Sequence, residues 1–295
     1  MRNVHFKSGQ KRFFEGWYLK HENGRENAAF IPGVSFDENG RGSAFIMTAS
    51  ADGASETLFD AGNFYAERNR FYIKIGDNEF SEDGVKINLR TPGISCAGEL
   101  RYGAFTPLKK DVMGPLRLFR TECSHGIISL RHAVSGSLVL NGREISFDGG
   151  AGYIETDRGR SFPDKYAWVH IRDGGNVVVA SAARVPFFGV KFRGHFAVVY
   201  ENGAEHRFAT YNGSKIVKLT ERETVFKKGK DTLKIFLDGG RGQTYAALPL
   251  SAPDNGRMSR KITERLARPA RAELYKNSEL VLSCSSDFAS SEFCF

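Results

Sequence analysis

Short runs in which apolar and polar residues alternate recur along the chain, and clusters of Gly, Asn and Asp separate them. A period of two is typical of half-buried β-strands, and regularly spaced short strands favour sandwiches or barrels. A parallel α/β fold would need a series of amphipathic helices between the strands, and none is evident. We therefore predict an all-β fold with few short helices. The strand-like runs cover residues 13–20, 28–36, 43–49, 69–76, 85–90, 125–140, 166–173, 176–185, 193–203 and 232–240.

The length of the chain and one glycine-rich break predict two lobes. Asp148-Gly149-Gly150 follows a hairpin-like segment, so we assign residues 1–148 and 149–295 to two β-barrel or sandwich lobes. The segment 152–163 begins just beyond this break. Because ligand pockets favour the junctions between lobes, we expect functional residues there.

The stretch 257–276 is distinctive in both structure and charge. It holds the best helix candidate, residues 258–274, although Pro269 would interrupt a helix and a pair of strands is the alternative. It carries seven basic and two acidic residues, within a chain of net charge +8. Such a face is either solvated and weakly attractive to anions, or it contacts an anionic membrane surface. The chain contains no recognisable nucleic-acid-binding motif, so we do not expect a nucleic-acid partner.

The cysteines and the N-terminus predict a reduced, cytoplasmic protein. Cys96, Cys123, Cys284 and Cys294 form no CxxC pair, which argues against a zinc site. The first residues lack the apolar core of a signal peptide, and no run of about 18 apolar residues predicts a membrane span. The GxSxG, P-loop and GxGxxG motifs are also missing from a strand-turn-helix context, so those hydrolase and nucleotide-binding classes have no support.

Two carboxylates stand two residues apart in the segment 152–163. In an extended strand, Tyr153, Glu155 and Asp157 share one face, and Ile154 and Thr156 lie on the other. Repulsion and burial would raise the pKa of one carboxyl group, which could then donate a proton near neutral pH. The alternative is a structural brace in which two nearby arginines, Arg158 and Arg160, neutralise both charges.

Glu15 lies inside an aromatic cluster at residues 13–20, where it shares a face with Phe13, Trp17 and Leu19. A glutamate in such surroundings is rarely buried without a partner. It could form an ion pair with an arginine from a neighbouring strand. Alternatively, Glu15 and Trp17 belong to a pocket wall, where Trp17 stacks on an apolar ligand.

Glu122, His125 and His132 lie within the stretch 119–132. Their spacing on a strand does not match a metal-ligand motif, so we predict no metal site. His125 could relay protons to the carboxylates, or it could be a hydrogen-bonded polar residue at a strand start.

Three blocks of sequence, at residues 13–20, 121–142 and 152–170, resemble the signature blocks of the tocopherol cyclase family, and residues 271–282 fit its late block. The resemblance covers most of the chain. It implies two lipocalin-like β-halves and kinship with carotenoid 1,2-hydratase and AttH-like proteins. Relatives usually carry Trp in place of Arg158, Trp in place of Tyr166 and Gln in place of His170, which leaves the substrate open.

The resemblance implies acid-catalysed cyclisation or hydration of a prenyl-type alkene without a metal or redox cofactor. Protonation of an alkene needs a poised acid and an aromatic-lined cavity that stabilises a cation. Asp157 is the first candidate for the acid and Glu155 the second, and His125 or Glu122 could return the proton. The candidates for substrate contacts are Trp17, Glu15, Tyr153, Arg158, Arg160, Phe162, Trp168 and His170.

Two other functional classes remain open at this stage. A lipocalin-like carrier would bind an apolar or aromatic molecule and leave it unchanged. A protein-interaction scaffold has less support, because the blocks place polar groups beside aromatic rings instead of forming one exposed apolar patch. We expect an apolar or prenylated small molecule as the partner and peripheral membrane contact as an option. The sequence does not define the oligomeric state.

Overall fold

The computed structural model describes residues 4–7, 9–119, 121–187, 189–238 and 247–295. These residues form two large antiparallel sheets and three short 3-10 helices, at Ala61–Asn63, Gly114–Leu118 and Thr210–Asn212. The predicted all-β fold is confirmed. Among the described residues, no helix has both the length and the apolar character to cross a bilayer.

The first sheet contains β1 to β12, and the first and last of these strands are neighbours. The order across the sheet is β4-β3-β2-β1-β12-β10-β9-β8-β7-β6-β5, with β11 paired to β10. The bounds are β1 Phe13–Glu22, β2 Asn27–Phe36, β3 Gly42–Ser50, β4 Gly53–Asp60, β5 Phe64–Ala66, β6 Tyr72–Ile75, β7 Asn78–Ser81, β8 Gly84–Thr91, β9 Ile94–Tyr102, β10 Cys123–Leu140, β11 Arg143–Ser146 and β12 Gly150–Gly159.

The second sheet contains β13 to β22 and again places its first strand beside its last. The order is β16-β15-β14-β13-β22-β21-β19-β18-β17, with β20 paired to β21. The bounds are β13 Tyr166–Asp173, β14 Asn176–Phe187, β15 Val190–Glu201, β16 Ala204–Ala209, β17 Lys215–Leu219, β18 Glu223–Lys228, β19 Asp231–Leu237, β20 Leu248–Asp254, β21 Arg257–Lys276 and β22 Glu279–Cys294.

The boundary between the two halves differs from the predicted break at residues 148 and 149. Strand β12 follows that break but pairs with β1 and β10, so it lies in the middle of the first sheet. By compactness, one unit combines the described residues up to Val112 with Glu122–Phe162 and Leu250–Lys261. The other unit contains Met113–Thr121, Pro163–Pro249 and Ile262–Phe295.

Of the two alternatives for residues 258–274, the helix is wrong, and the stretch forms one long strand, β21, and not a pair of strands. Its residues alternate between buried and exposed over most of its length, as a half-buried strand requires. Several of its basic groups are satisfied within the protein. Arg257 pairs with Glu38, and buried Arg268 donates to the carbonyl oxygen of Glu221 at 2.8 Å. This stretch should therefore attract anions less strongly than its count of basic residues suggests.

The two faces of the first sheet have different chemistry. One face packs into an apolar core that includes Trp17, Leu19, Phe30 and Ile154. We call this the core face. The neighbouring residues in each strand point the opposite way. We call that side the site face, because it carries Tyr153, Glu155 and Asp157. The second unit has its own core, which includes Val169, Ile171 and Phe226.

Candidate functional site

Strand β12 carries three of the predicted site residues on one face. Ile154 packs in the core, so Tyr153, Glu155 and Asp157 project from the site face, as the alternation predicts. Tyr153 and Glu155 are buried. The Tyr153 hydroxyl donates a short hydrogen bond to Oε2 of Glu155. The two carboxylates therefore lie in a protected environment and not on a solvated edge.

His125 of β10 joins the two carboxylates. Its backbone lies in register with Asp157, which places both side chains on the site face. The ring Nδ1 is 3.0 Å from Oδ1 of Asp157, and Nε2 is 3.4 Å from Oε2 of Glu155. The side chains of His125, Glu155 and Asp157 are 14%, 7% and 22% exposed. Asp157 is thus the most accessible member of the trio.

The electrostatics of the trio favour a protonated imidazole. Burial by itself would lower the pKa of His125, but the negative charges of Asp157, Glu155 and Asp111 outweigh it and raise that pKa to about 9. Burial, followed by the charge of Glu155, raises the pKa of Tyr153 well above its ordinary value. At neutral pH the cluster therefore holds an imidazolium and a neutral phenol beside the carboxylates.

Cys123 is a further member that the sequence analysis missed. Its Sγ lies 3.6 Å from Oδ1 of Asp157, within the range for a thiol donor. Burial, and then the charge of Asp157, raises the pKa of this thiol well above its ordinary value. Cys123 is therefore a neutral donor to Asp157. Only the register of β10 against β12, which pairs Cys123 with Gly159, indicates this role.

A buried ion pair lies next to the trio on the site face. Lys20 of β1 is in register with Tyr153, and its Nζ lies 3.0 Å from Oε2 of Glu22. Both side chains are almost inaccessible to solvent. Positively and negatively charged side chains thus lie next to each other on the site face of β1, β12 and β10. Buried charges need such opposite partners.

Three other predicted residues around β12 lie outside the trio. Glu122 forms an ion pair with exposed Arg160, at 3.4 Å, and its role in returning the proton remains a prediction. Arg160 accordingly braces Glu122 and not Glu155. Arg158 is in register with Glu15 and lies on the core side of β12 by alternation. The predicted arginine brace of both carboxylates is therefore replaced by the His125 bridge.

Glu15 and Trp17 are placed on the core face, which corrects the prediction that they join the carboxylates in one pocket wall. Trp17 packs in the core and stacks on Phe64, with ring centroids 6.2 Å apart. Glu15 is buried and accepts hydrogen bonds from the backbone N–H groups of His5 and Phe6, at 2.9 and 3.0 Å. It therefore anchors the segment at 4–7, in place of the predicted pairing with arginine.

The remaining aromatic candidates divide between the two units. Phe162 packs edge-on against Phe14, with centroids 5.5 Å apart, in the unit that holds the trio. Trp168 and His170 belong to β13 of the other unit, where their rings stack with centroids 6.4 Å apart. Both are buried and alternate with the core residues Val169 and Ile171. Their contact with a substrate remains a prediction.

The trio also has the donor set of a possible cation site. One ligand atom from each of His125, Glu155 and Asp157 lies within 4.8 Å of the others. However, a ligating imidazole must be neutral, whereas the two carboxylates raise the pKa of His125 to about 9 and so favour its protonated form. The imidazolium itself supplies the positive charge between the carboxylates. The geometry therefore suits proton storage better than metal binding.

Comparisons with known proteins identify solved structures with a similar fold. No family model matches the chain, and no curated protein matches it. An AttH-type protein from Nitrosomonas europaea superposes with a TM-score of 0.56 at 13% identity, over 96% of this chain and 92% of the other. CghA, solved with Sch210972, gives a TM-score of 0.63 at 10% identity, over 100% and 95%. Kievitone hydratase from Nectria haematococca gives 0.52 at 9% identity, over 95% and 88%. At these identities the likeness establishes a shared two-half, lipocalin-like fold.

Proposed function

We propose that the protein adds an O–H group across the double bond of a prenyl-type alkene, either within one molecule as a cyclase or from water as a hydratase. The observation that carries this proposal is the buried chain of proton-bearing groups formed by Tyr153, Glu155, His125 and Asp157 on the site face. The fold is shared with a protein named as a hydratase and with one solved with a small molecule, which supports this class of function.

The proposed reaction begins with proton transfer from His125 through Asp157. Asp157 lies 3.0 Å from the imidazolium nitrogen and is the most exposed of the trio, so it is the group that reaches substrate. Its carboxyl proton passes to one alkene carbon, and the other carbon becomes a tertiary cation. A substrate hydroxyl or a water molecule attacks that cation, and the proton that it loses returns through the Asp157 carboxylate to His125. The cycle consumes and releases no net proton.

Glu155 and Tyr153 stabilise the intermediate stage. When the proton passes from Asp157 to the alkene, the net charge of the cluster falls by one unit, and the hydrogen bond from Tyr153 to Glu155 holds that carboxylate in place. Electrostatic stabilisation by preorganised groups is usually the largest contribution to catalysis. Cys123 donates to Asp157 and fixes its orientation. An apolar, prenylated small molecule is accordingly the proposed partner.

Mass spectrometry of reactions with 2-prenylphenol tests the proposal. Hydration adds the mass of one water, whereas cyclisation gives an isomer with a new retention time. We expect product from the unaltered protein and at least a hundredfold less from Asp157→Asn, as for loss of a general acid. Glu99→Gln, a surface amide control on β9, should retain activity. Tight binding of 2-prenylphenol with complete recovery of unchanged molecule would overturn the proposal in favour of a carrier.

A further inference from the structure

One row of residues runs across the first sheet and ends at the trio. Register pairs Phe45 of β3 with Gly33 of β2, Gly33 with Gly16 of β1, and Gly16 with Asp157 of β12. Residues directly opposite each other on antiparallel strands place their side chains on the same face. Because Asp157 projects from the site face, the Phe45 ring projects from that face too.

The Phe45 ring lies over Gly33 and ends beside Gly16. A Cβ atom added at Gly33 would lie only 2.3 Å from Cζ of Phe45, so the ring occupies the space above that glycine. A Cβ added at Gly16 would be 3.8 Å from the same Cζ and 3.8 Å from the carbonyl oxygen of Pro32, which is an ordinary contact. The position above Gly16 therefore has room for a methyl group, directly between the aromatic edge and Asp157.

The chemistry along this row changes from apolar to acidic. Leu58 of β4, in register with Phe45, is 63% exposed, which is unusual for a large apolar side chain. Phe45 is buried, and Asp157 is the most exposed member of the trio. An apolar ligand whose end lies above Gly16 would meet the Cζ edge of Phe45 on one side and the carboxyl group on the other, with Leu58 further along the row. Burial of apolar surface favours such a placement.

We propose that the space above Gly16, bounded by Phe45 and Asp157, is the subsite for the flat, unsaturated end of the apolar substrate, and that Gly16 and Phe45 determine its size. This inference rests on the proposed function for the identity of the reacting group. An sp² carbon group is thin enough to lie in a space that accommodates one methyl group. The Phe45 ring turns its Cζ edge toward this space, so it bounds the subsite by shape and apolar contact.

Gly16 is the sharpest point at which to test the subsite. It does not require a positive φ, and alanine meets no contact closer than 3.8 Å, so Gly16→Ala should fold normally. Glycine within a strand is destabilising relative to alanine, so the unfolding midpoint should stay the same or rise. The same methyl group should obstruct the ligand. Stability and binding are therefore expected to move in opposite directions, which a purely structural glycine would not show.

Binding is measured with 2-isopentylphenol, the saturated analogue of 2-prenylphenol, which lacks the reacting double bond. Titration calorimetry should give about tenfold weaker binding in Gly16→Ala, as for one misplaced methylene in a pocket. Gly62→Ala serves as a matched control, because a Cβ there meets nothing within 4 Å. Its binding should equal that of the unaltered protein.

A double variant, Gly16→Ala with Phe45→Leu, adds a compensation test. The smaller leucine should make room for the ligand beside the methyl group and restore part of the binding. Unchanged binding in Gly16→Ala, or equal losses in Gly16→Ala and Gly62→Ala, would overturn the subsite. If Gly16→Ala weakens binding while 2-prenylphenol is never converted, the subsite stands and the proposed reaction fails. If conversion occurs and binding is insensitive to Gly16, the reverse holds.

Discussion

Histidines with opposite pKa shifts lie on the two faces of the first sheet. The site-face set is His125 alone, and the core-face set is His21 and His132. His125 lies on the site face between two carboxylates, and their charge raises its pKa to about 9 despite burial. His21 and His132 lie on the core face, where both are in register with Gly152 from opposite sides. Burial lowers the pKa of each to about 3. The comparison shows that carboxylate partners, and not burial, decide which histidine carries a proton.

Burial keeps His21 and His132 neutral, and their side-chain hydrogen bonds are those of neutral rings. The Ser129 hydroxyl donates to the carbonyl oxygen of Arg131 at 2.9 Å, so it accepts from Nδ1–H of His132 at 3.0 Å. His21 bonds through Nε2 to the Tyr102 hydroxyl. The Tyr102 and His132 rings lie 4.4 Å apart. His21, His132 and Tyr102 therefore act as neutral packing groups on the core face, whereas the trio on the site face carries charge.

The largest predicted effect is acid unfolding caused by the core-face set. Because the pKa of His21 and of His132 is lower in the folded state, their contribution to stability is complete above about pH 6.5. It is lost as the pH falls toward 3, by about 4 kcal/mol for each group. Chemical denaturation across this range should show the loss. The double variant His21→Gln and His132→Gln should flatten the acid slope, and an unchanged slope would contradict the assignment.

Next in size is the response of His125 to its partners. Without the negative charge of Asp157, burial should dominate, so the pKa of His125 in Asp157→Asn should fall by about 2 units or more. NMR titration of the ring protons measures it. Glu99→Gln, which changes a distant carboxylate, should leave the value near 9. A pKa that stays there in Asp157→Asn would show that the trio is not electrostatically coupled.

At alkaline pH, His125 should also affect the stability of the folded protein. The folded-state pKa of His125 is raised, so its contribution is complete below about pH 6.5 and is lost as the pH rises through about 9. The shift corresponds to at most about 3 kcal/mol in the free energy of unfolding. His125→Gln should remove this slope between pH 6.5 and 9. Equal alkaline slopes in both proteins would assign the effect to other groups.

The smallest predicted effect is steric. A Cβ at Gly152 would lie 2.2 Å from Nε2 of His132, so Gly152→Ala should destabilise the protein by about 1 to 3 kcal/mol. Denaturant titration measures the loss, with Gly62→Ala as the control. Because Gly16→Ala is expected to be neutral or stabilising, two glycine substitutions in adjacent strands should have opposite effects. Similar stability of both variants would contradict the packing on the core face.

Strand patterning predicted much of this arrangement. The alternation in residues 153–157 correctly placed Tyr153, Glu155 and Asp157 on one face, because each strand determines its own alternation. It could not predict the contact with His125, because that contact depends on the register of β10, which shifts between Ile127 and Ser129 and again before His132. Bulges of this kind often re-aim side chains near functional sites.

Errors arose where the partner comes from elsewhere in the chain. Glu15 was expected to meet an arginine, but the backbone of the segment at 4–7 supplies its donors. Trp17 was assigned to the pocket because it is aromatic, although its alternation matches that of Leu19 in the core. Residues 258–274 form one long strand, and neither the helix candidate nor a pair of strands, because paired neighbours stabilise it despite Pro269. Tertiary contacts override local preference in each case.

Deuterium incorporation from the solvent tests the central claim most directly. In deuterium oxide, the proposed proton transfer from Asp157 places one deuterium on the former alkene carbon of 2-prenylphenol in each turnover. Mass spectrometry should detect that single, non-exchangeable deuterium in product formed by the unaltered protein, and Asp157→Asn should form almost none. Product without deuterium at that carbon, or equal labelling rates in both proteins, would contradict the account.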